Sequence, residues 1–561
     1  MKIQIKSLFT CILISLLSIS SVLAQVKAKN GMVVSTSGIA SDVGVDVLKK
    51  GGNAIDAAVA TAFALAVTHP SAGNIGGGGF LVYMNAEGSA TTIDFREKAP
   101  LKATQEMYLD DSGDLIKGKN HMSVKAIGVP GTVAGLYKAH QKYGKLSWAE
   151  LVQPAVDLAS KGFTMNWSLY GAAQFFIKEK SPFMSEYFLN DQGKLTAPGE
   201  IWKQQALAET LTAIRDQGHD GFYKGEVAKK IASYMKEKGG LITKKDLSEY
   251  QAVERTPVKG TYKDYEIYSM PPPSSGGVAL IEMMNLMEQA DFEKLEFNST
   301  GYVHFLAEAM RRAFSDRAEF LGDPDFNPEM PVDRLISKEH AKNRFTEIDM
   351  RKASVSDSSK FGQLYDGSST THFSVMDKDG NAVSLTYTLE HSYGSRMGSE
   401  ELGFIFNNEM GDFNPVPGLT ASNGLIGTKP NLIEPGKRML SSMTPTIIAK
   451  NGKPYLVIGS PGGRTIINTV FQAVLNVLEF DMEIDKAIEV MKIHHQWLPD
   501  RIIYEKDLLS PDTRASLESM GHTLAGRNRL GVLMGIRYDE ENGVMIGASD
   551  SSSSEGKASG Y

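Results

Sequence analysis

The sequence predicts an α+β layered protein, and three patterns carry that expectation. Residues 40–50 and 53–67 have helical spacing on either side of Gly51-Gly52, and helical segments dominate from about 130 to 345. The run Gly76 to Gly79 leads into a strand at 80–84, and TTIDFRE follows as a second strand. From residue 370 to about 460 strands and turns alternate, and PYLVIGSPGGRTIINTVFQAVLNVLEF closes the stretch as strand, turn and helix. Helices interleaved with antiparallel strands point to helices layered on sheets.

The chain has 561 residues, 42% of them hydrophobic and 22% charged, enough for a large core. A net charge of −7 argues against nucleic acid as a partner. The basic pairs Lys229-Lys230 and Arg311-Arg312 are local and read as solvated helix faces. Residues 1–24 form a signal peptide: Lys2 and Lys6, a short apolar run, then Val22-Leu23-Ala24 as the cleavage site. That run is short for a spanning helix, so export to periplasm or medium is expected, without a membrane anchor. The single cysteine, Cys11, lies inside this segment. The mature chain therefore has no disulfide, thiolate metal site or cysteine nucleophile, and covalent catalysis must use Ser or Thr.

The polar stretch 345–369 is the most linker-like part of the chain, rich in Ser and Asp and without period. It runs straight into Thr370-Thr371 and a hairpin. MDKDGNA is a turn over Lys378-Asp379 with Gly380 left-handed, which pairs Asp377 with Asn381 and Thr370 with Thr388. One face then carries Phe373, Val375, Val383, Leu385, Tyr387 and Leu389. The other carries Thr370, His372, Ser374, Ser384, Thr386 and Thr388, with Glu390 one step beyond. Taken alone, that hydroxyl-lined face is also what the solvated outer side of an antiparallel sheet looks like.

Longer motifs go further. TTHFSVMDKDGNAVSLTYTL, NNEMGDF, KRMLSSMTPTI, GSPGGRTIINTV and HHQWLPD resemble, in this order, the small-subunit motifs of gamma-glutamyltransferases. Upstream, GGNAIDAAVATAFALAVTHPSAGNIGGGGFLVY, DFREKAP, VPGTVAGL and PPPSSGG look like the large subunit, so the resemblance covers nearly all the mature chain. It implies a four-layer αββα sandwich of the N-terminal-nucleophile hydrolase type. Two chains, 25–369 and 370–561, would form it jointly as one globular heterodimer after self-cleavage before Thr370. The freed α-amine of Thr370, with a pKa of roughly 7.7–8.0, would serve as base for its own hydroxyl. Thr388 would hydrogen-bond that hydroxyl, and Gly462 and Gly463 would form the oxyanion hole. Arg96 would grip the donor α-carboxylate with Ser441 and Ser442 assisting; Glu409, Asp412 and Glu390 would face the donor ammonium. The donor would be glutathione or a related γ-glutamyl compound, and the acceptor water, an amino acid or a peptide.

No cofactor and no metal are expected. GSPGGRT lacks the phosphate-binding lysine, NIGGGGF leads into a strand where a dinucleotide site needs a helix, and His494-His495 point to opposite faces of a strand. This chain departs from the family pattern at Glu390, at Asn423 where lidded members carry an aromatic, at Met439 in place of proline, and in the tail GASDSSSSEGKASGY. Two other readings compete. One is a cephalosporin or glutaryl acylase of the same superfamily, whose substrate has no α-ammonium; the other is an uncut amino-acid-binding protein.

Overall fold

The computed structural model describes residues 25–190, 192–292, 295–357, 369–422 and 425–561. The signal-peptide expectation, Cys11 and Asn423 fall outside them. Two seven-stranded sheets face each other, and every neighbouring pair of strands in both is antiparallel. The first sheet runs Gln25–Ala28, Val544–Ser549, Met534–Asp539, Lys453–Gly459, Thr446–Lys450, Tyr265–Ser269, Val258–Tyr262. The second runs Lys557–Gly560, Gly31–Ser35, Ser369–Asp377, Ala382–Glu390, Gly78–Met84, Ala90–Phe95, Val253–Arg255. Each sheet takes strands from both sides of residue 370.

Between the sheets lies an apolar layer that includes Met32, Val34, Met84, Met376, Ile447, Val457 and Ile536. Helices cover the outer faces. Every residue of Ala54–Thr68 is buried, as expected of a helix apolar on all sides, and it packs against the second sheet. Asn53 and Asp56 close its N-terminus as a reciprocal capping box, which explains where the helix begins after Gly51-Gly52. Gly276–Met287, Thr300–Phe320 and Thr465–Leu478 form the layer on the first sheet. The result is the α+β sandwich, helix–sheet–sheet–helix. Among the described residues no helix is long and apolar enough to cross a membrane.

The hairpin has the expected register, Thr370 opposite Thr388 and Met376 opposite Ala382, with Gly380 at φ 93°. Its hydroxyl-lined face is not solvated. Ser374 Oγ donates to Val457 O at 3.2 Å and Ser384 Oγ to Ile458 O at 3.1 Å, both on the opposite sheet. His372 is fully buried between Thr386 Oγ1 (2.8 Å) and Ser374 Oγ (3.0 Å). Buried hydroxyls need such partners, and the facing sheet's backbone supplies them.

Three further corrections concern the segments around this core. The region expected to be helical contains the strands Val253–Arg255, Val258–Tyr262 and Tyr265–Ser269, which complete one edge of each sheet. Arg311-Arg312 is buried, not solvated: both guanidiniums hold Glu308, and Arg311 also meets Ser356 and Asp500. That contact in turn fastens the first part of the stretch read as a linker. Ser356 N donates to Asp500 Oδ2 at 2.7 Å, Ser354 N to Glu308 Oε1 at 3.1 Å and Ala353 N to Met520 O at 2.8 Å.

Candidate active site

Thr370 stands where the polar segment meets the sheet. The ladder bulges between Ser369 and Thr370, so that Ser369 opposes Glu390 while Thr370 opposes Thr388. Thr370 Oγ1 lies 3.4 Å from Thr388 Oγ1, and Thr388 Oγ1 accepts the Glu390 N–H at 2.8 Å. Glu390 takes a left-handed φ of 76° to make that turn. The neighbouring strand comes close because it enters as glycine: a Cβ on Gly77 would sit 2.0 Å from Thr388 O.

Thr370 borders two cavities. The first is lined by Arg96, Thr370, Thr388, Glu390, Glu409, Asp412, Ser441, Ser442 and Gly463. Gly462 lines the second, which Thr370 also borders. Residues nominated from segments hundreds of positions apart therefore surround one threonine.

Arg96, at the end of the strand Ala90–Phe95, is 1% exposed. Its Nη1 lies 2.5 Å from Glu409 Oε2 and 3.5 Å from Glu97 Oε2, and its Nη2 lies 2.5 Å from Asp412 Oδ2. Its Nε donates to the Met439 carbonyl at 3.3 Å, so the departure at Met439 leaves a backbone acceptor in use. Burial works against the Arg96 charge, but Glu409, Asp412 and Glu97 outweigh it and hold its pKa above the usual arginine value. Burial pushes Glu97 up to about 8 against the pull of Arg96, and pushes Glu409 well above the carboxylate range. Three carboxyls around one guanidinium thus carry fewer than three negative charges. Glu409 and Asp412 both line the cavity, and Asp412, its side chain 37% exposed, is the more open of the two.

The serine pair is held by the PPPSSGG segment. Ser275 N and Oγ both donate to Ser441 O, at 2.8 and 2.6 Å, and Ser441 N donates to Pro273 O at 2.9 Å. Gly462 and Gly463 form the turn between Lys453–Gly459 and Thr465–Leu478 with φ of 141° and 60°, values that require glycine. The Gly462 carbonyl accepts Thr465 Oγ1 at 2.7 Å, and a Cβ on Gly462 would lie 2.6 Å from that same oxygen.

Several lining residues went unnoticed in the sequence. His121 Nδ1 lies 3.0 Å from Glu390 Oε1, and its ring stacks on His391 at 4.9 Å. Burial pulls His121 down to about 4, leaving it neutral, and burial with repulsion from Asp412 pushes Glu390 well up. Arg317 and Arg464 also reach the first cavity. Arg464 sits inside GSPGGRTIINTV, but no local motif announces His121 or Arg317; charge inside the otherwise buried helix Thr300–Phe320 is the available signal for Arg317. Among the described residues three His/carboxylate clusters have metal-like spacing: His121–Glu390–His391, His304–Glu308–His522 and Glu282–Asp316–His340. In the first the rings are within 18° of parallel, which does not aim two nitrogens at one ion. The second lies against Arg311, and the third against Arg344. His494 and His495 diverge to Asn468 and Asp500.

Comparison with known proteins adds an independent line. The family model described as gamma-glutamyltranspeptidase matches residues 40–561. The glutathione hydrolase proenzyme of Escherichia coli is 45% identical over 540 residues, covering 96% of this chain and 93% of that one. A cephalosporin acylase structure from Bacillus halodurans aligns at TM-score 0.82 with 26% identity, over 96% of this chain and 97% of its own. The Helicobacter pylori gamma-glutamyltranspeptidase structure is 44% identical at TM-score 0.55, over 56% of this chain and 91% of its own.

Proposed function

We infer the activity from family and cavity together: the chain belongs to the gamma-glutamyltranspeptidase family, and it acts as a glutathione hydrolase and γ-glutamyltransferase. The observation that carries the reading is the charge pattern beside Thr370. A γ-glutamyl donor brings an ammonium and a carboxylate on one carbon, and the cavity offers Asp412 and Arg96 2.5 Å apart. A glutaryl substrate has no ammonium to meet Asp412, which disfavours an acylase.

The precursor becomes active by cutting itself. Thr370 Oγ attacks the Ser369 carbonyl, the peptide nitrogen leaves as the new α-amine, and water hydrolyses the resulting ester. The products are 25–369, which follows signal removal on export, and 370–561. In the mature enzyme the α-amine takes the Thr370 hydroxyl proton while Oγ attacks the donor's γ-carbonyl carbon. Backbone N–H groups at Gly462-Gly463 stabilise the oxyanion, a contribution typically of about 2.7–4 kcal/mol per donor. The α-ammonium then returns its proton to the leaving amine, which for glutathione is cysteinylglycine. Water or an acceptor amine attacks the γ-glutamyl ester and regenerates Thr370. Arg96, Ser441 and Ser442 bind the carboxylate, Asp412, Glu409 and Glu390 the ammonium, and Thr388 orients the nucleophile.

Intact-mass analysis of the purified protein beside Thr370→Ala, with glutamate release from glutathione, tests this. The wild type should be two chains and active, Thr370→Ala one chain and inactive, and Thr370→Ser two chains and slow. An active single-chain wild type would refute the mechanism, and an inactive one would favour the binding-protein reading.

A further inference from the structure

The first cavity contains a buried arginine that, among the described residues, forms no salt bridge with a carboxylate. Arg317 lies near the end of Thr300–Phe320, is 7% exposed and faces the cavity. Arg96 is gripped by Glu97, Glu409 and Asp412. Arg317 makes no ion pair among the described residues; its side-chain contacts there are two hydroxyls. Its Nε donates to Ser275 Oγ at 2.8 Å and its Nη2 to Ser442 Oγ at 3.2 Å.

Burying a cation without a partner is costly, and the penalty is relieved when an anion arrives. Burial, reinforced by Arg464 and Arg96 and opposed by Asp412, already pulls the Arg317 pKa down to about 9. The contacts also order both serines. Because Ser442 Oγ accepts from Arg317, its own hydrogen is directed elsewhere and can be given to a ligand oxygen. On the other branch, Arg317 donates to Ser275 Oγ, and Ser275 Oγ donates to the Ser441 carbonyl at 2.6 Å. One guanidinium thus anchors Ser442 by its side chain and Ser441 by its backbone.

We propose that Arg317 is a positioning residue for the donor α-carboxylate: it turns the Ser442 hydroxyl toward that group, fixes Ser441 through Ser275, and supplies the positive charge the carboxylate neutralises. This inference rests on the γ-glutamyl reading. It assigns the carboxylate two cations: Arg96, whose guanidinium already binds carboxyls of its own and is partly neutralised by them, and Arg317, which forms no salt bridge among the described residues.

The test compares two anilide donors, γ-glutamyl and 4-aminobutyryl, which differ in the α-carboxylate. In Arg317→Met, kcat/KM on the γ-glutamyl donor should fall about 10- to 100-fold, mainly through KM, the range of a charge-assisted hydrogen bond. The 4-aminobutyryl donor should change by no more than about 3-fold. Arg317→Lys, which keeps the charge and loses the fork, should fall between. Equal losses on both donors would mean a structural role and overturn the proposal. Where Arg317→Met fails to mature into two chains, Arg317→Lys and Ser442→Ala decide, singly and together. On the γ-glutamyl donor the double variant should lose less than the two single losses combined, because with Ser442 gone only the branch through Ser275 is left to disturb, and fully additive losses would overturn the coupling. A wild type that releases aniline from neither donor would fail the γ-glutamyl reading itself, whatever the Arg317 variants do.

Discussion

Asp412→Asn isolates the donor ammonium site. Asp412 Oδ2 lies 2.5 Å from Arg96 Nη2, and its side chain is 37% exposed at the cavity. Two unit charges 4 Å apart interact by about 4 kcal/mol at an effective dielectric of 20, and water at this exposed edge reduces that. A charge-assisted hydrogen bond of about 1.5–3 kcal/mol is the better guide, which is a loss of roughly 10- to 150-fold in kcat/KM. Asparagine keeps the shape and can still accept from Arg96, while Glu409 and Glu97 remain on the guanidinium, so folding and chain cleavage should persist. The assay is aniline release from γ-glutamyl and glutaryl anilides, which differ only in the ammonium. The variant should lose activity on the first and keep its slow rate on the second. Unchanged donor kinetics, or the same loss on both, would remove Asp412 from the ammonium site.

Gly462→Ala should lower kcat by about 10²- to 10³-fold with little change in KM, read from steady-state kinetics, because a side chain there displaces an oxyanion donor. The clash with Thr465 Oγ1 and the φ of 141° force that displacement. His340 gives a pH signature in stability. Its hydrogen bond to Asp316 at 2.8 Å and the Glu282 carboxyl 3.8 Å away raise it to about 9, and burial raises Glu282 to about 8. A raised histidine contributes stability that is complete below its unfolded pKa near 6.5 and lost as pH climbs through 9. The raised Glu282 loses stability in the same direction between about 4.5 and 8, since its unfolded form releases the proton first. The Tm advantage of wild type over His340→Gln should therefore be largest near pH 6 and shrink toward pH 9. An advantage that stays constant or grows over that range would contradict the assigned proton.

Local signals revealed what local chemistry determines. The hairpin register followed from Gly380 and a period of two, and a one-residue slip would have reversed every side chain. The helices on either side of Gly51-Gly52 followed from spacing and the Asn53 cap. What failed was burial. The strands between 253 and 269 are short and sit in a stretch where helical spacing dominates, and they complete one edge of each sheet. Arg311-Arg312 looked solvated because nothing nearby in sequence says that Asp500, nearly two hundred residues on, arrives to meet it.

The site divides the same way, and the division has a physical cause. The nominated residues sit in runs whose backbone needs are visible in sequence: a loop-to-strand junction at Thr370, a turn of two glycines, a strand end at Arg96. Arg317 and His121 have no such marker, since their backbones are ordinary helix and their importance lies in what they face. Arg317 reaches Ser442 across 125 residues and His121 reaches Glu390 across 269. Together they change what the cavity is electrostatically. Motif reading gives one arginine for the carboxylate and three acids for the ammonium. The folded chain gives Arg96 partly neutralised by its own acids, a second buried cation behind the serines, and a neutral imidazole against Glu390. A donor α-carboxylate entering that cavity therefore meets a field that Arg96 alone does not supply. Selectivity for γ-glutamyl over glutaryl groups should thus depend on the acids, and selectivity for donors bearing the carboxylate on Arg317.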